Sequence, residues 1–254
     1  MSPTTDKAPG ELAIIQLLPN ILTITAICAG MTAIRFAVHG DYVVAVQLIL
    51  AAAILDGVDG RLARALKCDG RMGAELDSLA DFLNFGVVPP LVLYYWALQD
   101  MRSAAWLSVL VYAVCCVMRL ARFNVDSKME IAGEPQDKAY FKGVPAPAGA
   151  LLVLLPMVVS FAFSNAPLLP DAVICAWMIV TGLLMISNLP IWSFKTTRIS
   201  RDKVKFVLVG FAFFIAAVLT FAWITMVVLS TAYIFVVIWA AFSPGPAVKN
   251  TEDT

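Results

Sequence analysis

Apolar runs long enough to cross a lipid bilayer recur along this chain, and no other feature restricts its fold as much. They fall at about 19–38, 42–64, 73–98, 104–123, 146–163 and 170–190, and a last block, about 204–242, stays apolar for nearly forty residues. A helix rises about 1.5 Å per residue, so about 20 residues cross the hydrocarbon core. The last block therefore reads as two helices joined by a short turn near Trp223–Thr225. The expected fold class is all-α: a polytopic membrane bundle of about eight transmembrane helices, or six if the final block is not a full hairpin. Residues 1–10 read as a disordered tail, 11–243 as one transmembrane domain and 244–254 as a second tail. No cleavable signal peptide is apparent, and Glu11–Leu18 suits the membrane surface.

Composition excludes whole classes of function. Of the 254 residues, 61% are hydrophobic and only 14% charged, against about 25% charged in an ordinary soluble domain. Too few charges remain to coat a water-facing globule. Eighteen Lys and Arg balance eighteen Asp and Glu, so no basic surface is available for nucleic acid. The five cysteines form no CxxC pair, and four of them lie in apolar runs, where they read as small packing residues. His39 is the only histidine, which rules out metal sites and mechanisms that need two. Carboxylates, hydroxyls, Lys and Arg must carry any chemistry.

Positive charge orients the bundle. With the N-terminus inside, the cytoplasmic segments hold Lys7, Arg61, Arg64, Lys67, Arg71, Arg119, Arg122, Lys128, Lys138, Lys142, Lys195, Arg198, Arg201, Lys203, Lys205 and Lys249. That is sixteen of eighteen, with only Arg35 and Arg102 elsewhere. Tyr94, Tyr95, Trp96 and Trp106 bracket an external loop as an aromatic belt. Both termini are thus expected in the cytoplasm, and polar work at the cytoplasmic face.

Four aspartates break the apolar pattern. Asp56 and Asp59 sit near the inner end of the second helix, and Asp77 and Asp81 near the inner start of the third. One charge at membrane depth costs about 2.5–3.5 kcal/mol on insertion scales. Spacings of three and four put each pair on one helix face, and the short linker Ala65–Met72 makes the two helices antiparallel neighbours. Four converging carboxylates repel unless a divalent cation neutralises them, and all-oxygen ligation suits Mg2+ or Mn2+. Helix capping or pairing with Arg61, Arg64 and Arg71 accounts for some of the four but not for two helix-spaced pairs. Gly60, Ala63 and Gly73 let a bulky group approach the backbones, or equally let helices pack closely. Arg64 is placed for a phosphate or a carboxylate.

Asp56, Asp59, Gly60, Ala63, Arg64, Gly73, Asp77 and Asp81 match every fixed position of D-x2-D-G-x2-A-R-x8-G-x3-D-x3-D. This chain thereby resembles the CDP-alcohol phosphotransferase family: integral membrane enzymes, often homodimers, that move a phosphoryl-alcohol group from a CDP-linked donor to a second alcohol and release CMP. The resemblance implies two divalent ions held by Asp56, Asp59 and Asp77, with Asp81 completing the second site and acting as general base. It implies that Gly60, Ala63, Arg64 and Gly73, with Asp56 and Asp77, accommodate the CDP-diacylglycerol headgroup. Pro19, Asn20 and Thr23 are similar to the family's opening of the first helix, which puts Asn20 or Thr23 within reach of the nucleotide.

Three further stretches are similar to the phosphatidylserine synthase branch. They are Met118–Asn124, Tyr140–Ala150 and Ser187–Lys195, the last departing from the branch at Ile191 and Trp192. The implied acceptor is L-serine. Arg119, Arg122, Lys142 and Lys195, with Asn124, are the candidates for its carboxylate or for lipid phosphates, although cations at this face also serve topology alone. The Gly143–Pro147 segment either closes over the acceptor or only starts a helix. The implied protein is a multi-pass, homodimeric membrane enzyme, in the inner membrane if bacterial. Glycerol 3-phosphate, an inositol compound or choline are the alternative acceptors. A cation transporter is the alternative of another class, but transporters place their ion sites near the midplane between repeats, and no repeat is visible.

Overall fold

The computed structural model describes residues 14–66, 70–131, 140–163, 168–187, 190–192 and 204–242. The two tails and Lys195 lie outside them. Every apolar run is helical: α1 (Ile14–Val38), α2 (Tyr42–Leu66), α3 (Arg71–Asp81), a π-helical turn (Phe82–Val87), α4 (Val88–Ala97), α5 (Arg102–Ile131), α6 (Ala146–Val153), α7 (Leu155–Phe163), α8 (Asp171–Ile186), α9 (Val204–Thr220) and α10 (Ala222–Phe242). Helices satisfy their own backbone groups, which lipid demands. The one sheet among the described residues is a short antiparallel ladder of β1 (Tyr140–Lys142) and β2 (Pro190–Trp192).

The described residues support the lower of the two expected numbers of spans. Among the described residues five helical stretches are long and apolar enough to cross a membrane, or six if the bent α6–α7 pair counts as one span. Helix α8 has 16 residues and α9 has 17, short of the usual 20 or so. The last block breaks at Phe221, before the expected Trp223–Thr225. Helical hydrogen bonds bracket the break, from Phe221 N to Ala217 O (2.8 Å) and from Thr225 N to Phe221 O (2.9 Å), and the Thr225 hydroxyl also reaches Ala217 O (3.1 Å). Contacts between α9 and α10 are sparse beside those of the α1–α2 hairpin. The joint is a bend rather than a packed hairpin. No Gly or Pro marks it in the sequence, so periodicity had nothing to locate it by.

Helix α1 is the hub of the polar end. Its buried stripe runs Pro19, Thr23, Ala26, Gly30, Ala33, Ala37. The stripe of α2 runs Ala45, Ile49 and Ala52, all buried, and continues through Asp56 to buried Asp59. Small residues at spacings of three and four let the backbones approach closely. The aspartates are the next members of an apolar stripe, so the packing that buries Ala52 also turns them inward. Helices α3 and α4 also pack along α1, more extensively than α3 packs on α2. The expected α2–α3 pairing is therefore secondary, with α1 as the shared partner.

Two departures from regular helix have visible causes. Pro156 has no N–H to offer Leu152 O and forces a bend. The Trp177 indole N–H takes that carbonyl instead (2.7 Å), and α6 and α7 meet at 45°. In the π-helical turn the fully buried Tyr112 hydroxyl of α5 donates to Phe85 O (3.1 Å). Gly86 permits this approach, since a Cβ there would lie 2.9 Å from the Phe82 ring and 3.1 Å from Cys116 Sγ. Away from the aspartates, Tyr94 packs edge-on against Tyr95 and Trp106, with centroids 5.6 and 5.7 Å away. This is the aromatic cluster expected at the α4–α5 connection.

Candidate active site

Three carboxylates come together as the helix stripes require. Ligand oxygens of Asp56, Asp59 and Asp77 all lie within 4.8 Å of one another. Asp81, one turn beyond Asp77, lies beside Asp56. Two carboxyls that meet need a proton or a cation between them. Asp59 is 2% exposed. Oδ1 of Asp56 and Oδ1 of Asp59 are buried without any hydrogen-bond partner among the described residues. Burying a carboxylate oxygen unpaired is expensive. A hard divalent cation, which takes carboxylate oxygens as ligands, fits this set: clustered, convergent and incompletely satisfied.

Supporting residues surround the cluster. The buried Thr23 hydroxyl lies 2.6 Å from Asp59 Oδ2 and 3.0 Å from Pro19 O. Its single hydrogen serves the carboxylate best, because a charged acceptor makes the stronger bond. Thr23 thus orients a candidate ligand carboxylate. Asn20 faces Gly73, where a Cβ would lie 3.1 Å from Asn20 Oδ1, so α1 and α3 close together at the mouth of the site. Gly60, by contrast, faces open space, with nothing within 4 Å of a Cβ there. The backbone of α2 is bare where the resemblance expects a nucleotide. Ala63 is half-buried one turn on, and Arg64 is exposed, within electrostatic range of Asp77.

The acceptor candidates separate. Arg119 is half-buried, and its Nε donates to Val144 O (3.0 Å). Its guanidinium lies over the Phe123 ring, 5.8 Å from the centroid, and within electrostatic range of Asp81. Arg122 is half-buried and has an interaction partner. The Asn124 amide is tied to α3, donating from Nδ2 to Ser78 Oγ (3.0 Å). Lys142 ends β1, paired in register with Pro190. The 143–147 segment is held against the end of α8. Gly143 has φ +82°, and a Cβ there would lie 2.5 Å from Met185 O and 2.7 Å from Ser187 O; only glycine tolerates both conditions. Val144 N then donates to Leu184 O (3.2 Å), and Pro145 caps α6.

Sequence reasoning missed several residues of this site. Ser78 carries no local signal, because its partner lies 46 positions away. Asn84, in the π-helical turn after Asp81, is 1% exposed, with its amide nitrogen and oxygen unpartnered among the described residues. A polar residue three positions from the signature was a readable clue. Its fit against Gly30, whose missing Cβ makes room for Asn84 Oδ1, was not.

Comparison with known proteins gives the family of the chain. The sequence model of the CDP-alcohol phosphatidyltransferase family matches residues 16–187. A Mycobacterium leprae protein named CDP-diacylglycerol–serine O-phosphatidyltransferase is 39% identical over 221 residues, covering 87% of this chain and 73% of that one. A protein of the same name from Mycobacterium tuberculosis is 43% identical over 180 residues, covering 69% of this chain and 61% of its own length. A solved structure, the M. tuberculosis phosphatidylinositol phosphate synthase in complex with manganese and citrate, is similar at 21% identity and TM-score 0.49, over 69% of this chain and 83% of that one. From the extent of the family match and the M. leprae relative, this chain belongs to the CDP-alcohol phosphatidyltransferase family.

Proposed function

We propose that this chain is a CDP-diacylglycerol–serine O-phosphatidyltransferase, transferring the phosphatidyl group of CDP-diacylglycerol to L-serine. The carrying observation is the convergence of Asp56, Asp59 and Asp77, with Asp81 beside Asp56 and Arg119 in range of Asp81. The two mycobacterial relatives that carry the serine enzyme's name support the acceptor.

Asp56, Asp59 and Asp77, completed by Asp81, would hold two Mg2+ or Mn2+ ions, whose chemistry is to offset the charge of the diphosphate and of the leaving nucleotide. Gly60 and Ala63 leave room for the cytidine diphosphate at the α2 backbone, with Gly73 and Asn20 at the α3 edge. Arg64, exposed beside Asp77, meets a phosphate. The Asp81 carboxylate takes the proton of the serine hydroxyl as that oxygen attacks the β-phosphorus. The bond from the β-phosphorus to the bridging oxygen breaks, and CMP leaves with that oxygen. No protein nucleophile is needed, which suits a chain with one histidine. Arg119 is the leading candidate for the serine carboxylate, with Arg122, Lys142 and, from the sequence alone, Lys195 as further candidate cations. Asn124 contributes by linking α5 to α3 through Ser78.

The polar end faces the cytoplasm of a multi-pass membrane protein, supported by the sixteen-to-two charge asymmetry. The functional unit is a homodimer, as is common in the family, and residues 11–243 form one catalytic domain. The test is CMP release from detergent-purified protein given CDP-diacylglycerol and Mn2+. Release should depend on L-serine, stop with EDTA and return with added metal. Release with glycerol 3-phosphate, inositol or choline but not serine would overturn the acceptor. Serine-dependent release that ignores chelation would overturn the metal mechanism.

A further inference from the structure

The π-helical turn after Asp81 contains a carbonyl that its own helix cannot satisfy. An α-helix would close Phe85 O with the N–H of residue 89, and a π-helix with that of residue 90. Those residues are Pro89 and Pro90, which have no N–H to give. The N–H of Val88 is taken by Leu83 O. Phe85 is 1% exposed, and a buried carbonyl without a donor is costly. Tyr112 of α5 supplies the donor: its hydroxyl donates to Phe85 O (3.1 Å).

Tyr112 is itself held by two other helices. It is fully buried. A Cβ at Gly182 of α8 would lie 3.2 Å from its Cα, and one at Gly149 of α6 would lie 3.6 Å from its Oη. The hydroxyl is therefore a fixed point to which the turn is tied. A π-turn holds one residue more than an α-turn. Each helical residue advances the chain by about 100°, so tightening this turn would rotate α3 against α4 by about that angle. Helix α4 is pinned by Val88, Val92 and Leu93, all fully buried, whereas α3 buries only Ala80 among its described residues. The helix free to rotate is the one that carries Asp77 and Asp81. Rotation would take Asp77 out of the set of oxygens that lie within 4.8 Å of one another.

We propose that Tyr112 is a positioning residue for the carboxylate cluster. By holding the π-turn open through Phe85 O, it sets the angle at which α3 presents Asp77 and Asp81 to Asp56 and Asp59. This rests on the metal-assisted reading above. Single π-turns within helices are frequent at functional sites, and this one begins at the residue after Asp81. The aim of α3 is thereby fixed from α5, by a hydroxyl on a helix that carries none of the four aspartates.

The experiment measures Mn2+ binding to detergent-purified protein, wild type and Y112F, from the spin-resonance signal of the free ion, alongside serine-dependent CMP release. Y112F removes one oxygen and keeps the ring. The Kd for Mn2+ should rise about tenfold, the scale of losing a group that orients metal ligands. At saturating Mn2+, kcat should fall while KM for L-serine stays near wild type. Wild-type Mn2+ affinity in Y112F would overturn the proposal, and so would fewer binding sites at unchanged affinity, which marks loss of folded protein alone. If Y112F does not assemble, Tyr112→Phe combined with Pro89→Ala decides it, because the second change gives Phe85 O a backbone N–H in the α register. That variant should assemble with a tightened turn and still bind Mn2+ about tenfold more weakly. Wild-type affinity there would overturn the proposal. Failure to assemble would overturn it too, by making the hydroxyl a requirement of the fold and not of the site. A wild type that binds no Mn2+ would sink the metal reading itself, and one that binds Mn2+ without serine-dependent release would sink only the acceptor.

Discussion

The two halves of the site are built in different ways. The proposed donor side, Asp56, Asp59, Asp77 and Asp81 with Gly60 and Gly73, comes from two consecutive helices and sits within 26 residues. Each side chain there occupies the next position of a helical stripe, so local period alone aims it. The proposed acceptor side draws Arg119 from α5 and Val144 from the segment after β1. No period relates those residues; they meet because Gly143 permits one close crossing and the β1–β2 ladder holds the segment down. A site built from stripes tolerates drift elsewhere in the chain, whereas one assembled from distant segments depends on each crossing.

That contrast can be broken at several points. The largest effect is expected on the donor side. Asp81→Asn keeps the shape and the hydrogen-bonding reach but cannot take a proton. It should lower turnover by about 10²–10⁴-fold, the usual contribution of a general base, with CDP-diacylglycerol binding retained. Wild-type-like CMP release from a folded sample would remove Asp81 from that role.

A smaller loss is expected from Thr23→Val, which deletes the hydrogen bond to Asp59 (2.6 Å) while preserving volume. Partners that orient a metal ligand typically matter by about 10–100-fold in affinity. The Mn2+ concentration needed for half-maximal activity should rise by that order, with KM for serine little changed. An unshifted Mn2+ requirement would mean that Asp59 is held by packing alone.

Gly143→Ala sharpens the other side of the comparison. The left-handed backbone there costs a Cβ-bearing residue about 1–2 kcal/mol, and the new methyl would press on Met185 O and Ser187 O. The segment should shift and carry Val144 O away from Arg119. KM for serine should rise several-fold, and thermal stability in detergent should fall, while KM for CDP-diacylglycerol holds. A matching loss on both substrates would show that the two halves are not separable.

How much of this was legible in the sequence follows the same division. Helical periodicity and spanning length marked every described helix, and the two-by-two aspartate spacing marked the carboxylate cluster. The charge asymmetry pointed to one end of the bundle as the polar one. The family resemblance brought Asn20 or Thr23 to the nucleotide, but spacing could not say that Thr23 would hold Asp59, because the two are 36 positions apart. It offered no sign of the bend at Phe221, where no residue type breaks the apolar run, nor of the ladder between strands of three residues each.

What the sequence determined by itself was therefore the class of structure and the acidic chemistry of its polar end. Lipid enforces helices wherever apolar length suffices, and a helix repeats its side-chain directions every few residues regardless of its neighbours. What only the tertiary structure decided was which helices share a wall and where Arg119 is anchored. Those depend on close approach between segments distant in sequence, set by where small residues such as Gly30, Gly73, Gly86 and Gly143 let backbones meet.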